Sequence, residues 1–304
     1  MKSILCKRVD AFTDVPHKGN PAGVVTRSEG LNETHMQLIA RDMNYSETVF
    51  VLPATSRHAD LRLRWFTPTN EVPLCGHATI AAFHALAEEN LYGMKEDGTY
   101  SFRVETTSGI LPVEVGKEAG KAGIKFGLPL PRFEVPPNNF AYKFDFFREI
   151  GIKFDEFGKG IPAAISGGNV FLPVRRLSTL YEMRPLFDKL GKTLKRRNLT
   201  GACVFSLETV EPRSSFHSRY FAPNDGINED PVTGSTNGPL GVYMVQYGVV
   251  PAKEEETITM VGEQGDVIGK RGRVSVEVKM SNGYPSAVFI SGRAVSFGEE
   301  YFEM

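Results

Sequence analysis

Two stretches of this chain repeat each other in the same order, and any fold assigned to it has to accommodate that repeat. Arg64-Trp65-Phe66-Thr67-Pro68-Thr69-Asn70 leads to Cys75-Gly76-His77-Ala78, and Arg219-Tyr220-Phe221-Ala222-Pro223-Asn224-Asp225 leads to Thr233-Gly234-Ser235-Thr236. An alternating segment, 61–66 or 216–221, precedes each turn and suits a strand, and a run of helical character follows each. Upstream, Gly19-Asn20-Pro21-Ala22-Gly23-Val24-Val25 is echoed by Gly168-Asn169-Val170-Phe171-Leu172-Pro173-Val174. Two elements in one order at similar spacing predict two homologous halves.

The runs after the turns say what each half is built around. Residues 78–87 are apolar nearly all round, with Thr79 and His84 as the polar exceptions, and 239–245 are apolar throughout. A helix without a polar face must be surrounded by protein. Pro239 fits such a helix in its first turn, where a missing N–H is not needed. Much of the remainder reads as strands, such as Val274, Val276 and Val278 alternating with Ser275 and Glu277, punctuated by Gly and Pro. One amphipathic helix is predicted from Met36, Ile39, Ala40 and Met43, with Thr34-His35-Met36-Gln37 resembling its capping box. The Pro-rich stretch 128–137 is the predicted connection between halves. The fold class is therefore α+β with two similar domains, 1–128 plus about 287–304 and 129–286.

Composition supports that reading and excludes others. The chain has 304 residues, about two domains' worth at roughly 150 residues each. With 41% hydrophobic and 23% charged residues it is an ordinary globular sequence, not a disordered one. A formal charge of -1 shows no polyanion-binding field, and the short basic run 192–197 reads as a solvated helix face, so no nucleic-acid partner is expected. Cys6, Cys75 and Cys203 are an odd, widely spaced set without CxxC spacing, which points to a reducing compartment. The N-terminal apolar stretch is broken by Lys7 and Arg8, too short for a signal segment, and nothing approaches the ~18 apolar residues of a membrane span. A cytoplasmic protein without a membrane partner is expected.

The two turns are where chemistry is expected. Gly and hydroxyl residues at the start of a buried helix leave backbone N–H groups free at its positive end, able to hold a carboxylate or enolate oxygen. Glu229-Asp230-Pro231-Val232-Thr233-Gly234-Ser235 makes one such turn and Leu74-Cys75-Gly76-His77 the other, and both are expected to face one cleft. Taken singly, Asp230, Thr233 and Ser235 also suit plain helix capping. Glu47 follows the predicted amphipathic helix and heads the apolar strand Thr48-Val49-Phe50-Val51, so it is expected at a rim, half-buried, with its pKa raised by desolvation. The bland alternative is an exposed edge glutamate. His77 is either a satisfied core histidine or a cleft acid, and Cys75 either a small buried residue or a helix-N-terminal thiolate. GxGxxG after a strand, GxxxxGK[ST] and HExxH are all missing, and the histidines lack metal spacing, so nothing in the sequence implies NAD, ATP, zinc or haem.

Val9-Asp10-Ala11-Phe12-Thr13, Gly19-Asn20-Pro21-Ala22, Asn44-Tyr45-Ser46-Glu47-Thr48, Phe66-Thr67-Pro68, Glu71-Val72-Pro73, Cys75-Gly76-His77-Ala78-Thr79 and Glu229-Asp230-Pro231-Val232-Thr233-Gly234-Ser235 together resemble the PhzF-like (phenazine biosynthesis) family. They fall in family order over most of the chain. The resemblance implies two diaminopimelate-epimerase-like domains, each a mostly antiparallel sheet rolled round a central helix and related by a pseudo-twofold. It implies a homodimer and a small anionic substrate. It also implies a cofactor-independent isomerase similar to the one acting on trans-2,3-dihydro-3-hydroxyanthranilate. By the same resemblance Glu47 is the general acid/base, with His77 and Asp230 its catalytic polar partners. Gly76, Gly234 and Ser235 contact substrate, and Ser46 orients the glutamate. Related racemases use two opposed cysteines; here Thr233 stands where the second thiol would be. An epimerase-like enzyme using Cys75 and a non-catalytic metabolite-binding protein are the rival expectations.

Overall fold

The computed structural model describes residues 3–138, 142–143, 145–158 and 160–304. The chain divides into two compact units, Met1–Gly127 with Ile290–Met304, and Leu128–Phe289.

In the first unit β1 (Ser3–Ala11) pairs antiparallel with β2 (Asn20–Val25) and, on its other edge, with the C-terminal strand Ala294–Glu303. β2 runs parallel to β3 (Thr48–Leu52), which is antiparallel to β4 (Leu61–Phe66). β4 pairs antiparallel with the short β5 (Glu71–Val72) and parallel with β6 (Gly98–Thr106), and a meander through β7 (Gly109–Glu118) and β8 (Lys121–Leu128) completes the sheet. Helix α1 (Glu33–Met43) lays Met36, Ile39, Ala40 and Met43 on one face of the sheet, against Phe50 and Phe66. The other face carries α2 (Gly76–Glu88), buried along nearly its whole length against β1, β2, β3 and the C-terminal strand. Its alanines allow close approach of the sheet, while Phe83, fully buried, stabilises by about 2 kcal/mol.

The second unit repeats this wiring. β9 (Ala164–Ser166) pairs antiparallel with β10 (Asn169–Pro173), which runs parallel to β11 (Gly201–Ser206), itself antiparallel to β12 (Phe216–Ala222). β12 pairs antiparallel with β13 (Ile227–Asp230) and parallel with β14 (Thr257–Gln264), which is antiparallel to β15 (Gly272–Ser281); β16 (Tyr284–Gly292) follows. Helices α3 (Leu177–Glu182) and α4 (Phe187–Arg196) bury Leu180, Leu190 and Leu194 against Val204 and Phe221 on one face. On the other, the buried α5 (Gly234–Gln246) meets Phe205 through Tyr243 and packs on β14 and β15. Lys192, Lys195 and Arg196 line the exposed side of α4, as expected of a solvated face. Among the described residues no helix is long and apolar enough to cross a membrane.

Strand register makes the repeat exact enough to equate residues. Phe50 pairs with Arg64 and Val204 with Arg219, so the two arginines correspond. Each makes a two-pronged ion pair seven or ten residues on, Arg64 with Glu71 and Arg219 with Glu229, and each guanidinium lies over a phenylalanine two residues on, Phe66 or Phe221. Further along, Glu105 and Glu263 correspond. Glu105 accepts the backbone N–H of Thr55 and Ser56, and Glu263 those of Val210 and Glu211. The buried His217–Glu263 pair, at 2.8 Å, is thus the second unit's version of a loop clamp that the first unit builds with Arg62 and Glu105.

Three local expectations are corrected. The capping box of α1 is formed by Asn32 and His35, not by Thr34 and Gln37: Asn32 has extended backbone and takes the His35 N–H at 2.9 Å, which leaves Thr34 already inside the helix. Gln37 instead donates to the Thr67 carbonyl. Pro239 lies within α5 and not in its first turn, because the helix starts at Gly234. The carbonyl that Pro239 leaves without an N–H belongs to Ser235, an exposed residue. The echo of Gly19–Val25 in 168–174 falls on the right strand but is slipped by two residues, since Gly23 pairs with Thr48 and Val170 with the corresponding Ala202. A slip of two keeps every side chain on its own face.

Candidate active site

Glu47 reaches its position by a sharp exit from α1. Asn44 ends that helix in the left-handed region, φ 52, with its N–H on the Ala40 carbonyl. Three residues later the Glu47 carbonyl accepts the Gly23 N–H at 3.2 Å, which ties the backbone to β2 just before β3 begins. The side chain is left only 15% exposed, and its Oε2 has no hydrogen-bond partner among the described residues. Burial raises its pKa, with hydrogen bonds from Ser46 and Cys75 opposing the rise in part. An exposed edge glutamate is ruled out.

The first turn meets that carboxylate. Cys75 is the N-cap of α2 in extended conformation, and its carbonyl takes both the backbone N–H and the hydroxyl of Thr79, at 3.1 and 2.6 Å. Its thiol, buried, lies 3.4 Å from His77 Nδ1. The other ring nitrogen, Nε2, lies 3.4 Å from Ser46 Oγ and 3.4 Å from Glu47 Oε2. His77 is buried, and its ring stands between a thiol and a carboxylate. Ser46, Glu47, Cys75 and His77 thus form one cluster at the positive end of a helix, with Gly76 opening the first turn. The donor atoms of Glu47, Cys75 and His77 all lie within 4.8 Å of one another, close enough to share a cation after modest adjustment.

The second turn is organised differently. Thr233 is the N-cap of α5, yet its side chain makes no capping bond; its hydroxyl donates to Asp230 Oδ2. Asp230 is buried, Gly234 is buried and Ser235 is exposed. The plain capping role considered for Thr233 is therefore not what its side chain does. Register equates Val72 with Asp230, because Trp65 pairs with Val72 and Tyr220 with Asp230. Cys75 then corresponds to Thr233 and His77 to Ser235. Glu47 corresponds to Gly201, where a Cβ would stand 2.3 Å from Tyr220 Oη. The two halves share a frame, and both helices open on a glycine, but Glu47, Cys75 and His77 are replaced by Gly201, Thr233 and Ser235 in the second unit. Gln264 and Asn237, which tie this turn together, were missed in the sequence, since no local pattern marks a glutamine whose partners lie about thirty residues away.

Known proteins match this chain over its whole length. It is 37% identical over 298 residues to an uncharacterized isomerase of Clostridium acetobutylicum, covering 95% of this chain and 94% of that one. An uncharacterized isomerase of Bacillus subtilis is 36% identical over 300 residues, covering 97% of each. A PhzF-family phenazine biosynthesis protein of Bacillus anthracis superposes with a TM-score of 0.88 at 35% identity, each chain covered entirely. A hydroxyproline epimerase of Agrobacterium vitis, 13% identical, shares the fold with a TM-score of 0.64 over 98% of this chain and 92% of its own. The chain is an isomerase built on the diaminopimelate-epimerase-like fold. It belongs to the phenazine biosynthesis-like protein family (PhzC-PhzF), whose sequence profile matches residues 9–300.

Proposed function

We propose that this isomerase moves a proton within a small carboxylated, cyclic or unsaturated metabolite, with Glu47 as the general acid/base and no cofactor. One observation carries the reading: Glu47 is a buried carboxylate with a raised pKa, hydrogen-bonded by Ser46 and Cys75 and 3.4 Å from His77. Such a group takes a proton from an acidic carbon and gives it back at comparable free-energy cost. In the forward step the C–H bond breaks, its proton goes to Glu47, and the electron pair passes into the unsaturated system beside the substrate carboxylate. The Glu47 carboxyl, whose proton exchanges with solvent, then gives a proton to another carbon, where the new C–H bond forms. Ser46 orients the carboxylate and His77 balances its charge. The turns at Gly76 and at Gly234 and Ser235 hold anionic oxygen, and Asp230 positions the polar part of the substrate.

A two-thiol racemase is the weaker reading, because Thr233 occupies the position that corresponds to Cys75 and is committed to Asp230. The test is deuterium incorporation from D2O into trans-2,3-dihydro-3-hydroxyanthranilate, or into a metabolite carried through purification. Glu47→Gln is expected to slow it by at least about 100- to 10,000-fold with the fold intact. Unchanged exchange in that variant sinks the assignment. Turnover lost on exhaustive chelation and recovered on adding metal would overturn the cofactor-independent mechanism.

A further inference from the structure

From the hydrogen-bond network of the second turn we infer that Gln264 is a positioning residue for Asp230, acting through the Thr233 hydroxyl; this rests on the proposed role of Asp230 in holding substrate. Gln264 ends β14, is 1% exposed, and uses all four sites of its amide. Oε1 accepts the Thr233 N–H at 3.1 Å and Asn237 Nδ2 at 2.8 Å. Nε2 donates to the Asp230 carbonyl at 2.9 Å and to Thr233 Oγ1 at 3.0 Å. The orientation of the amide follows from its partners. Flipping it would set Nε2 against two N–H donors and Oε1 against a carbonyl.

That orientation has a consequence one bond further on. Thr233 Oγ1, accepting from Gln264, turns its own hydrogen to Asp230 Oδ2. The chain of donors runs Gln264 to Thr233 to Asp230 in one direction, so the carboxylate meets a donor at a set place and angle. Gln264 also holds the N-cap N–H of α5, which fixes where the helix begins, and the helix start sets the backbone of Gly234 and Ser235. The next residue grips the same turn: Gly265 has φ +85, and a Cβ there would lie 2.7 Å from the Pro231 carbonyl. Among the described residues of the first unit there is no such device at the corresponding position. Register equates Thr106 with Gln264, and the Thr106 hydroxyl serves its own strand turn, donating to the Gly109 carbonyl. The glutamine clamp accompanies Asp230 and is missing where Val72 takes that place.

The experiment compares Gln264→Met, which keeps the volume and loses the whole clamp, with Gln264→Glu, which keeps the acceptor for Thr233 N–H and Asn237 but has no donor for Thr233 Oγ1 when ionised. Crystal structures of the full chain are expected to show the Thr233 hydroxyl leaving Asp230 in both variants. With trans-2,3-dihydro-3-hydroxyanthranilate in D2O, each is expected to lose about 10- to 100-fold in kcat, the scale of a small misplacement, with KM changed far less. The loss should disappear in a Thr233→Val background, a coupling that mere destabilisation would not produce. A Gln264→Glu structure in which the Thr233 hydroxyl still lies on Asp230 overturns the inference, and so do effects of Gln264→Met and Thr233→Val that multiply. Should Gln264→Met fail to fold, Gln264→Glu decides alone. Undiminished exchange in Glu47→Gln would instead remove the functional reading and leave the crystallographic test of the clamp standing.

Discussion

His77 Nε2 stands 3.4 Å from Glu47 Oε2, and that oxygen is buried without a hydrogen bond among the described residues. An ionised carboxylate is costly in such a place, so the acid/base role proposed for Glu47 trades stability for reactivity.

That trade has a sign that can be measured. Desolvation raises the folded-state pKa of Glu47 above its ordinary value. The folded chain therefore binds its proton more tightly than the unfolded chain does, and stability falls as pH rises from the ordinary glutamate range through the raised value. Glu47→Gln is expected to be more stable than wild type at pH 7, with the difference vanishing near pH 4. Urea unfolding at the two pH values checks this. On the catalytic side, the acid limb of kcat/KM is expected above the ordinary glutamate pKa, since the base must be ionised.

Cys75 tests the rival chemistry. Its thiol hydrogen-bonds Glu47 and opposes the rise in that group's pKa. If it only supports the carboxylate, Cys75→Ser keeps turnover within about 10-fold, whereas Cys75→Ala shifts the acid limb upward by removing the donor. Loss of turnover by about 1,000-fold or more in Cys75→Ser would make the thiol the base.

Glu263 is predicted to matter for stability rather than turnover. Burial pushes its pKa up, but hydrogen bonds from His217 and from the Val210 and Glu211 amides outweigh it and hold the carboxyl down at about 2. A depressed folded-state pKa gives stability that is present above the ordinary glutamate value and lost as pH falls from there toward about 2. Glu263→Gln is expected to cost about 3 kcal/mol at neutral pH, as for other buried pairs broken from one side. Thermal unfolding at pH 7 and pH 3 should show a smaller gap at the lower pH.

Gly201, which corresponds to Glu47, cannot take a side chain without moving the Tyr220 ring, whose hydroxyl is held by Asn169 at 2.9 Å. Gly201→Ala is expected to destabilise by about 1–3 kcal/mol from overpacking. A variant as stable as wild type would show that the ring shifts freely.

The repeat, the strand-turn-helix units and the buried helices were legible in the residues themselves. Arg64-Trp65-Phe66 and Arg219-Tyr220-Phe221 carry their periodicity within six residues, and an all-apolar helix has nowhere to go but inside. Backbone preference and burial period are local properties, and local sequence states them. The residue types around the two turns were legible too, as were Glu47 and His77 as candidates. The tertiary structure decided what no short window contains. Asn32 rather than Thr34 caps α1, α5 starts five residues before its proline, and the upstream echo is slipped by two, because each depends on which carbonyls and amides find partners in space. The raised pKa of Glu47 comes from desolvation by neighbours far along the chain. The role inferred for Gln264 comes from hydrogen bonds spanning 27 to 34 residues. A sequence names the groups that can ionise or donate, and only the folded chain sets the distance and the water between them.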